Sequence, residues 1–225
     1  MERHWAVAIA LIALAAAAAA FGRRALQHLL EPAVGLPAIL RIHILLSAGW
    51  LMLFLAQAAL AGQLRFDWHR RLGRLGLVVG SLIPPVGIAT AVAMARFHIA
   101  RGEPDDSASM AGPFADMAGF AFFLWLAVPW RAGPAVHRRA MVMCTCVLAT
   151  AAFARAAPWL VPGHPLIGAY ALALLAMGRD WLVERRLHPV FLAGLPALAL
   201  AQLGARSHYV EQWPPWVAFA HWMTH

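Results

Sequence analysis

The sequence contains no lysine; all eighteen of its basic residues are arginine. Charge of either sign is scarce, at 12% of the 225 residues, against about one quarter in an ordinary soluble domain. With 62% hydrophobic residues and a mean hydropathy of +0.68, this shortage argues against a water-solvated globule and points to lipid as the solvent. Cysteine is limited to Cys144 and Cys146, two positions apart in an apolar run. On a helix such neighbours point to different faces, which excludes a mutual disulfide and leaves two small buried thiols. Also missing are a Cys-x-x-Cys-His haem attachment sequence and a His-Glu-x-x-His zinc helix. There is no Gly-rich phosphate loop, nucleophile elbow or pair of catalytic carboxylates, so soluble-type enzymology has no support. The formal charge of +8 would suit nucleic acid. The arginines, however, fall in short clusters between apolar runs, the pattern of topology signals and headgroup anchors, and nucleic-acid binding is not expected.

What the chain does have is an internal repeat. Trp68-His69-Arg70-Arg71-Leu72-Gly73 opens a long apolar run and returns sixty-eight residues later as Val136-His137-Arg138-Arg139-Ala140-Met141. The apolar run Leu51 to Gly62 precedes the first copy as Gly119 to Trp130 precedes the second. Glu184-Arg185-Arg186-Leu187-His188-Pro189 is a looser third copy. The unit reads as a helical hairpin with a short basic turn and a histidine where the second helix starts.

The expected fold is therefore all-α: one integral membrane domain over 1–225, a bundle of about seven transmembrane helices built from His-marked hairpins. Trp5 to Gly22, closed by Arg23-Arg24, has the outline of a signal peptide but is long enough to span, and reads as an uncleaved signal-anchor within 1–24. A six-helix core is expected over 36–205. Its helices run from Pro37 to Ala61, Leu72 to Arg96, Phe114 to Trp130, Arg139 to Trp159, Leu166 to Val183, and Pro189 to Gly204. Pro84-Pro85 should kink the second of these, and Gly76 with Gly80 should admit a close neighbour. Arg101 to Ser109 is the one water-loving loop, and Pro162 to Pro165 a turn. The Trp-rich tail 206–225 is too short to span and reads as interfacial. Eleven arginines on the side of the N-terminus against seven on the other place that terminus in the cytoplasm and the C-terminus outside, in an inner-membrane setting.

This topology sorts the polar residues. His69, His137 and His188 lie at the cytoplasmic edge, and His43 and Asp116 in the outer half. An acid at membrane depth needs a partner; His43 is the first expected, then His98. His43, Ser47, Trp50, Phe54 and Gln57 recur at helical spacing and should share one inward face. That face reads either as a polar packing seam or as a ligand face. For the His-Arg-Arg turns the alternatives are anchoring, which explains the arginines, and chemistry, which the recurring histidine favours. Neutral imidazoles on neighbouring helices can ligate haem iron or a transition metal. His43, His69, His137 and His188 are the candidate ligands, with Asp116 to orient one of them, and basic turns beside them would neutralise propionates.

Taken in order, His43-Ile44-Leu45-Leu46-Ser47, the two His-Arg-Arg turns, Pro113-Phe114 with Asp116, Leu187-His188-Pro189 and Trp216 with Phe219-Ala220 resemble an uncharacterised family of bacterial multi-pass inner-membrane proteins. That likeness implies location and topology and no established activity. A looser resemblance is to transmembrane b-type cytochromes, whose four-helix cores carry histidines near both surfaces; it implies haem b and electron transfer. Two other readings stand beside a haem- or metal-binding redox protein. One is a proton-coupled transporter titrating at Asp116 and His43, with Pro84-Pro85 as its broken helix. The other is a non-catalytic membrane subunit or assembly factor docking a partner, or a second copy, through its Trp-rich tail.

Overall fold

The computed structural model describes residues 5–30, 36–156 and 166–225, and the regular structure among them is entirely helical. Seven helices form the body: α1 (Trp5–Leu30), α2 (Ala38–Gly62), α3 (Phe66–Ala100), α4 (Ala111–Ala127), α5 (Pro134–Ala156), α6 (Ile167–Glu184) and α7 (Pro189–Ala205). Two short ones follow, α8 (His208–Glu211) and α9 (Pro214–Thr224). Five of the described helices, α1 to α5, are long and apolar enough to cross a membrane, α4 together with the 3-10 turn Ser107–Met110 that leads into it. The expected turn Pro162 to Pro165, with His164 and Trp159, lies outside the described residues.

Local chemistry sets the helix ends. Proline supplies the first residue of α5, α7 and α9, where its missing N–H costs nothing and its φ is already helical. The His188 side chain caps α7 and Ser207 caps α8. Arg185 ends α6 in the left-handed region, φ 54°, and Leu64 takes φ 60° in the turn after α2; both positions would suit glycine. Compared with the apolar runs, α1 continues past Arg23-Arg24 to Leu30, and α3 starts six residues before Leu72, at Phe66. In the second case Asp67 and the first basic turn are already helical. Pro84-Pro85 sits inside one helix of 35 residues.

Helices α2, α3, α4 and α5 pack in succession, and α1, lying against both α5 and α2, closes the ring; α5 meets α2 directly only narrowly. Trp50, buried from α2, fills the centre: its indole meets the Phe120 ring edge-on at 4.9 Å and donates to Thr145 Oγ1 at 3.3 Å. Helix α1 lies against α5 and α2. Arg138 lies over Trp5 and Arg155 over Phe21, so α1 and α5 run parallel. Where the first two hairpins are expected, α2 packs on α3 and α4 on α5. The third is not a packed pair: α6 packs on α5 and α1 while α7 packs on α4 and α5, so Leu187-His188-Pro189 joins helices that diverge.

Close approach to α3 depends on glycines seven apart. A Cβ at Gly73 would come within 3.1 Å of Gln57 Nε2, at Gly80 within 2.6 Å of Trp50, and at Gly87 within 2.3 Å of Met117 Sδ. Nothing lies within 4 Å of the same position at Gly76, so Gly76 with Gly80 is not the small-residue pair that admits a neighbour. A seven-residue repeat keeps one face of α3 turned to α2 and α4 over two long stretches.

The end of the bundle that carries the His-Arg-Arg turns is called the basic end below, and the other the far end. At the far end α9 folds back over the bundle. Trp216 Nε1 donates to the Ala108 carbonyl at 2.8 Å, and Arg96 Nε to the Met223 carbonyl at 2.8 Å. The rings of Trp213 and Trp222 stay exposed.

Candidate functional site at the basic end

The repeat brings its two histidines together. His69 opens α3 and His137 opens α5, and their rings meet edge-on with centroids 6.4 Å apart and planes at 81°. Each ring is fixed from behind. His69 Nδ1 lies 3.2 Å from the Gln57 carbonyl oxygen and His137 Nδ1 lies 2.9 Å from that of Ala127. A carbonyl only accepts, so both Nδ1 atoms carry the hydrogen and both Nε2 atoms are left with a lone pair. Gln57 closes the first arrangement by donating back from Nε2 to the His69 carbonyl at 3.1 Å.

A main-chain carbonyl on Nδ1 with Nε2 free is how proteins set the tautomer and orientation of a metal-ligating imidazole. With metal–nitrogen bonds of about 2.0–2.1 Å, two imidazoles on opposite sides of one ion would have centroids near the observed separation, and at the tetrahedral angle they would lie closer, at about 5 Å. Imidazole nitrogens are donors of the kind that haem iron and transition-metal ions accept.

The four candidate histidines do not form one set. His43 lies on α2 fourteen residues before Gln57, roughly 21 Å along the helix, and cannot share an ion with His69 or His137. His188 is at the basic end, but its Nδ1 accepts the Val190 N–H at 3.2 Å. Its hydrogen is therefore on Nε2, and it serves as a helix cap rather than as a presented ligand. Burial first, and the charge of Arg139 second, hold this imidazole below its ordinary range.

Asp116 orients none of them. At the far end its Oδ1 accepts from Gln202 Nε2 at 2.6 Å and its Oδ2 from Arg206 Nη2 at 2.5 Å. Gln202 Oε1 in turn accepts the Tyr170 hydroxyl at 2.6 Å. The expected His43–Asp116 pair is replaced by a carboxylate that α7 fully engages, and His98 pairs instead with Glu103 at 2.8 Å. Arg206 sits in the loop after α7, on the same side as Asp116 in the expected topology. An acid at that depth calls for a cation there, and this was the signal available.

The expected inward face of α2 is present, with Trp50 and Phe54 buried and Ile42, Leu45 and Met52 outward. Along it His43 Nδ1, Ser47 Oγ and Gln57 Oε1 are buried and make no hydrogen bond among the described residues. Buried polar atoms normally have partners, so this seam is incompletely satisfied by protein.

The two Arg-Arg pairs have diverged. Arg70 and Arg71 are exposed, as anchors would be, and Arg70 pairs with Asp67 at 2.5 Å. Arg139 is buried and is no headgroup anchor. Its Nε donates to Asp180, its Nη2 to Glu184 Oε2 at 2.5 Å and its Nη1 to the Ala135 carbonyl at 2.8 Å. Arg138 and Arg179 share the Glu184 carboxylate at 3.0 and 3.1 Å and flank the Trp5 ring. Asp180 was detectable in sequence as an acid beside Arg179 within an apolar run.

These elements define a helical bundle with five described helices of membrane-spanning length and one pair of neighbouring imidazoles. No family model matches the chain, and neither curated proteins nor solved structures give a match.

Proposed function

We propose that this chain is a seven-span protein of the bacterial inner membrane in which His69 and His137 ligate one redox-active centre, haem b or a transition-metal ion. The observation that carries this reading is the paired imidazoles with both Nδ1–H groups tied to main-chain carbonyls. The centre, when bound, supplies one-electron transfer. The residues of the chain would hold it and set its ligands' tautomer. Seven spans follow if α6 and α7, of 18 and 17 residues, also cross; both fall within the range of about 17–25 residues that suffices. The excess of arginine at the basic end supports a cytoplasmic position for that end.

The test is an absorbance spectrum and metal analysis of the purified protein. A Soret band, or a stoichiometric metal, should be present and be lost in His69→Ala and His137→Ala. His188→Ala and His43→Ala should keep it. A colourless, metal-free protein from cells supplied with haem and metals overturns the reading.

A second reading, proton-coupled transport, is favoured by the unpartnered polar atoms of His43, Ser47 and Gln57 along α2. It would use that seam and not Asp116, which Arg206 neutralises. Proton uptake into proteoliposomes that survives His43→Ala combined with Ser47→Ala counts against it.

A further inference from the structure

At the far end, Asp105, His221 and His225 converge. Their nearest ligand-type atoms all lie within 4.8 Å of one another. His221 and His225 are four residues apart at the end of α9 and so share one helix face, with ring centroids 3.9 Å apart. Asp105 comes from the α3–α4 loop. Its Oδ1 accepts the Ser107 N–H at 2.9 Å, which leaves Oδ2 turned to the histidines. That oxygen is 3.8 Å from His221 Nδ1 and 3.4 Å from His225 Nε2.

We propose that Asp105, His221 and His225 form a binding site for a divalent transition-metal ion of the zinc, nickel or copper class. The convergence of the three donors carries the assignment. The Asp105–His225 contact of 3.4 Å is a long hydrogen bond and the Asp105–His221 separation of 3.8 Å is none, against a usual length of about 2.9–3.0 Å. Two metal–ligand bonds of about 2.0–2.1 Å at the tetrahedral angle put their ligand atoms roughly 3.4 Å apart, which the first separation matches and the second slightly exceeds. Two imidazoles and one carboxylate are a borderline donor set that selects such ions over calcium and magnesium, which prefer oxygen. All three side chains are accessible to solvent, which leaves a fourth position open to water.

Both sides of the site are held without the ion. Trp216 bonds to the Ala108 carbonyl, Arg96 to the Met223 carbonyl, and Phe114 packs edge-on to Trp216 at 5.7 Å. The ligands therefore sit on anchored elements, and the ion would tie α9 to the loop that enters α4. The site is at the opposite end of the bundle from His69 and His137 and does not depend on the reading given above.

The experiment uses the full chain in detergent, without an oligohistidine tag, stripped with chelator, and carrying His69→Ala to silence the basic end. Zinc, nickel and copper are titrated by calorimetry, with calcium and magnesium alongside. One equivalent should bind and raise the thermal midpoint. Asp105→Asn, His221→Ala and His225→Ala should each weaken binding by at least about tenfold, since even outer-shell changes cost 10–100-fold. These positions are exposed, so the variants should match the parent's midpoint without metal. No binding of any of the three ions, unchanged binding in the His221→Ala, His225→Ala double variant, or equal binding of calcium overturns the proposal. If His69→Ala fails to fold, the same series on the otherwise unchanged chain reads the site as the binding equivalent that the double variant loses.

Discussion

Arg139 and Asp180, forty-one residues apart in sequence, form an ion pair in which neither side chain has any exposure to solvent. Removing one partner of a buried pair leaves a charge without compensation, which costs about 3–5 kcal/mol. Arg139 keeps Glu184 and the Ala135 carbonyl, so Asp180→Ala should lower stability by no more than that amount, measured by reversible unfolding in mixed micelles. Replacing both at once, Arg139→Met with Asp180→Leu, should cost far less. A double variant as unstable as the single one would show that the neighbours Glu184 and Arg179, and not the pair, govern this end.

The glycine spacing of α3 makes a contrast of two substitutions. Gly80→Ala places a methyl 2.6 Å from the buried Trp50 ring and 3.0 Å from Leu124, so overpacking should cost about 1–3 kcal/mol. Gly76→Ala meets open space and should stay within about 0.5 kcal/mol of the parent. Equal thermal midpoints for the two would remove the seven-residue packing account.

His188 should make stability depend on pH. Its folded pKa lies below the ordinary 6.5, through burial and then the charge of Arg139, with Arg186 acting the same way and Asp180 and Glu184 opposing. The contribution is fully present above the unfolded value and is lost as pH falls through the folded one, because protonation removes the acceptor for the Val190 N–H. His188→Asn keeps a capping side chain that does not titrate. Across pH 5 to 8 the parent should lose thermal midpoint relative to this variant below about pH 6.5. A constant difference would refute the cap.

At the far end the order of effects is the test. Asp116→Ala strands the Gln202 amide N–H and leaves the partly exposed Arg206 guanidinium with the Gln202 carbonyl alone, whereas Tyr170→Phe strands only Gln202 Oε1. An unsatisfied buried neutral acceptor costs about 1–3 kcal/mol, and a charged group more. Chemical unfolding should rank Asp116→Ala as the more damaging.

The places of seven long helices could be read, because apolar runs bounded by Pro, Arg and Gly leave few alternatives in lipid; their limits could not, since α1 runs on to Leu30 and α3 starts at Phe66. The inward face of α2 was equally legible, since spacings of three and four are a helix property. Partner choice was not. Asp116 met Arg206 and not His43 because α7 crosses α4, and no periodicity within one helix reports which helices become neighbours. For the same reason Arg139 read like Arg71 although one is buried and the other exposed. His69 and His137 were legible as a repeat, and their meeting depends on how the hairpins dock. The pair His221 and His225 was spaced for one helix face, but its third member comes from a loop more than one hundred residues earlier.

The contact between His69 and His137 has a consequence for the symmetry of the bundle. Corresponding residues of two copies touch each other only where the copies are related by a two-fold operation; head-to-tail stacking joins unlike surfaces. Here the two-fold likeness is confined to the turns: α3 packs broadly on α4, whereas α5 barely meets α2 and α1 lies against both of them. The imidazole contact is therefore shared by two halves that α1 makes unequal.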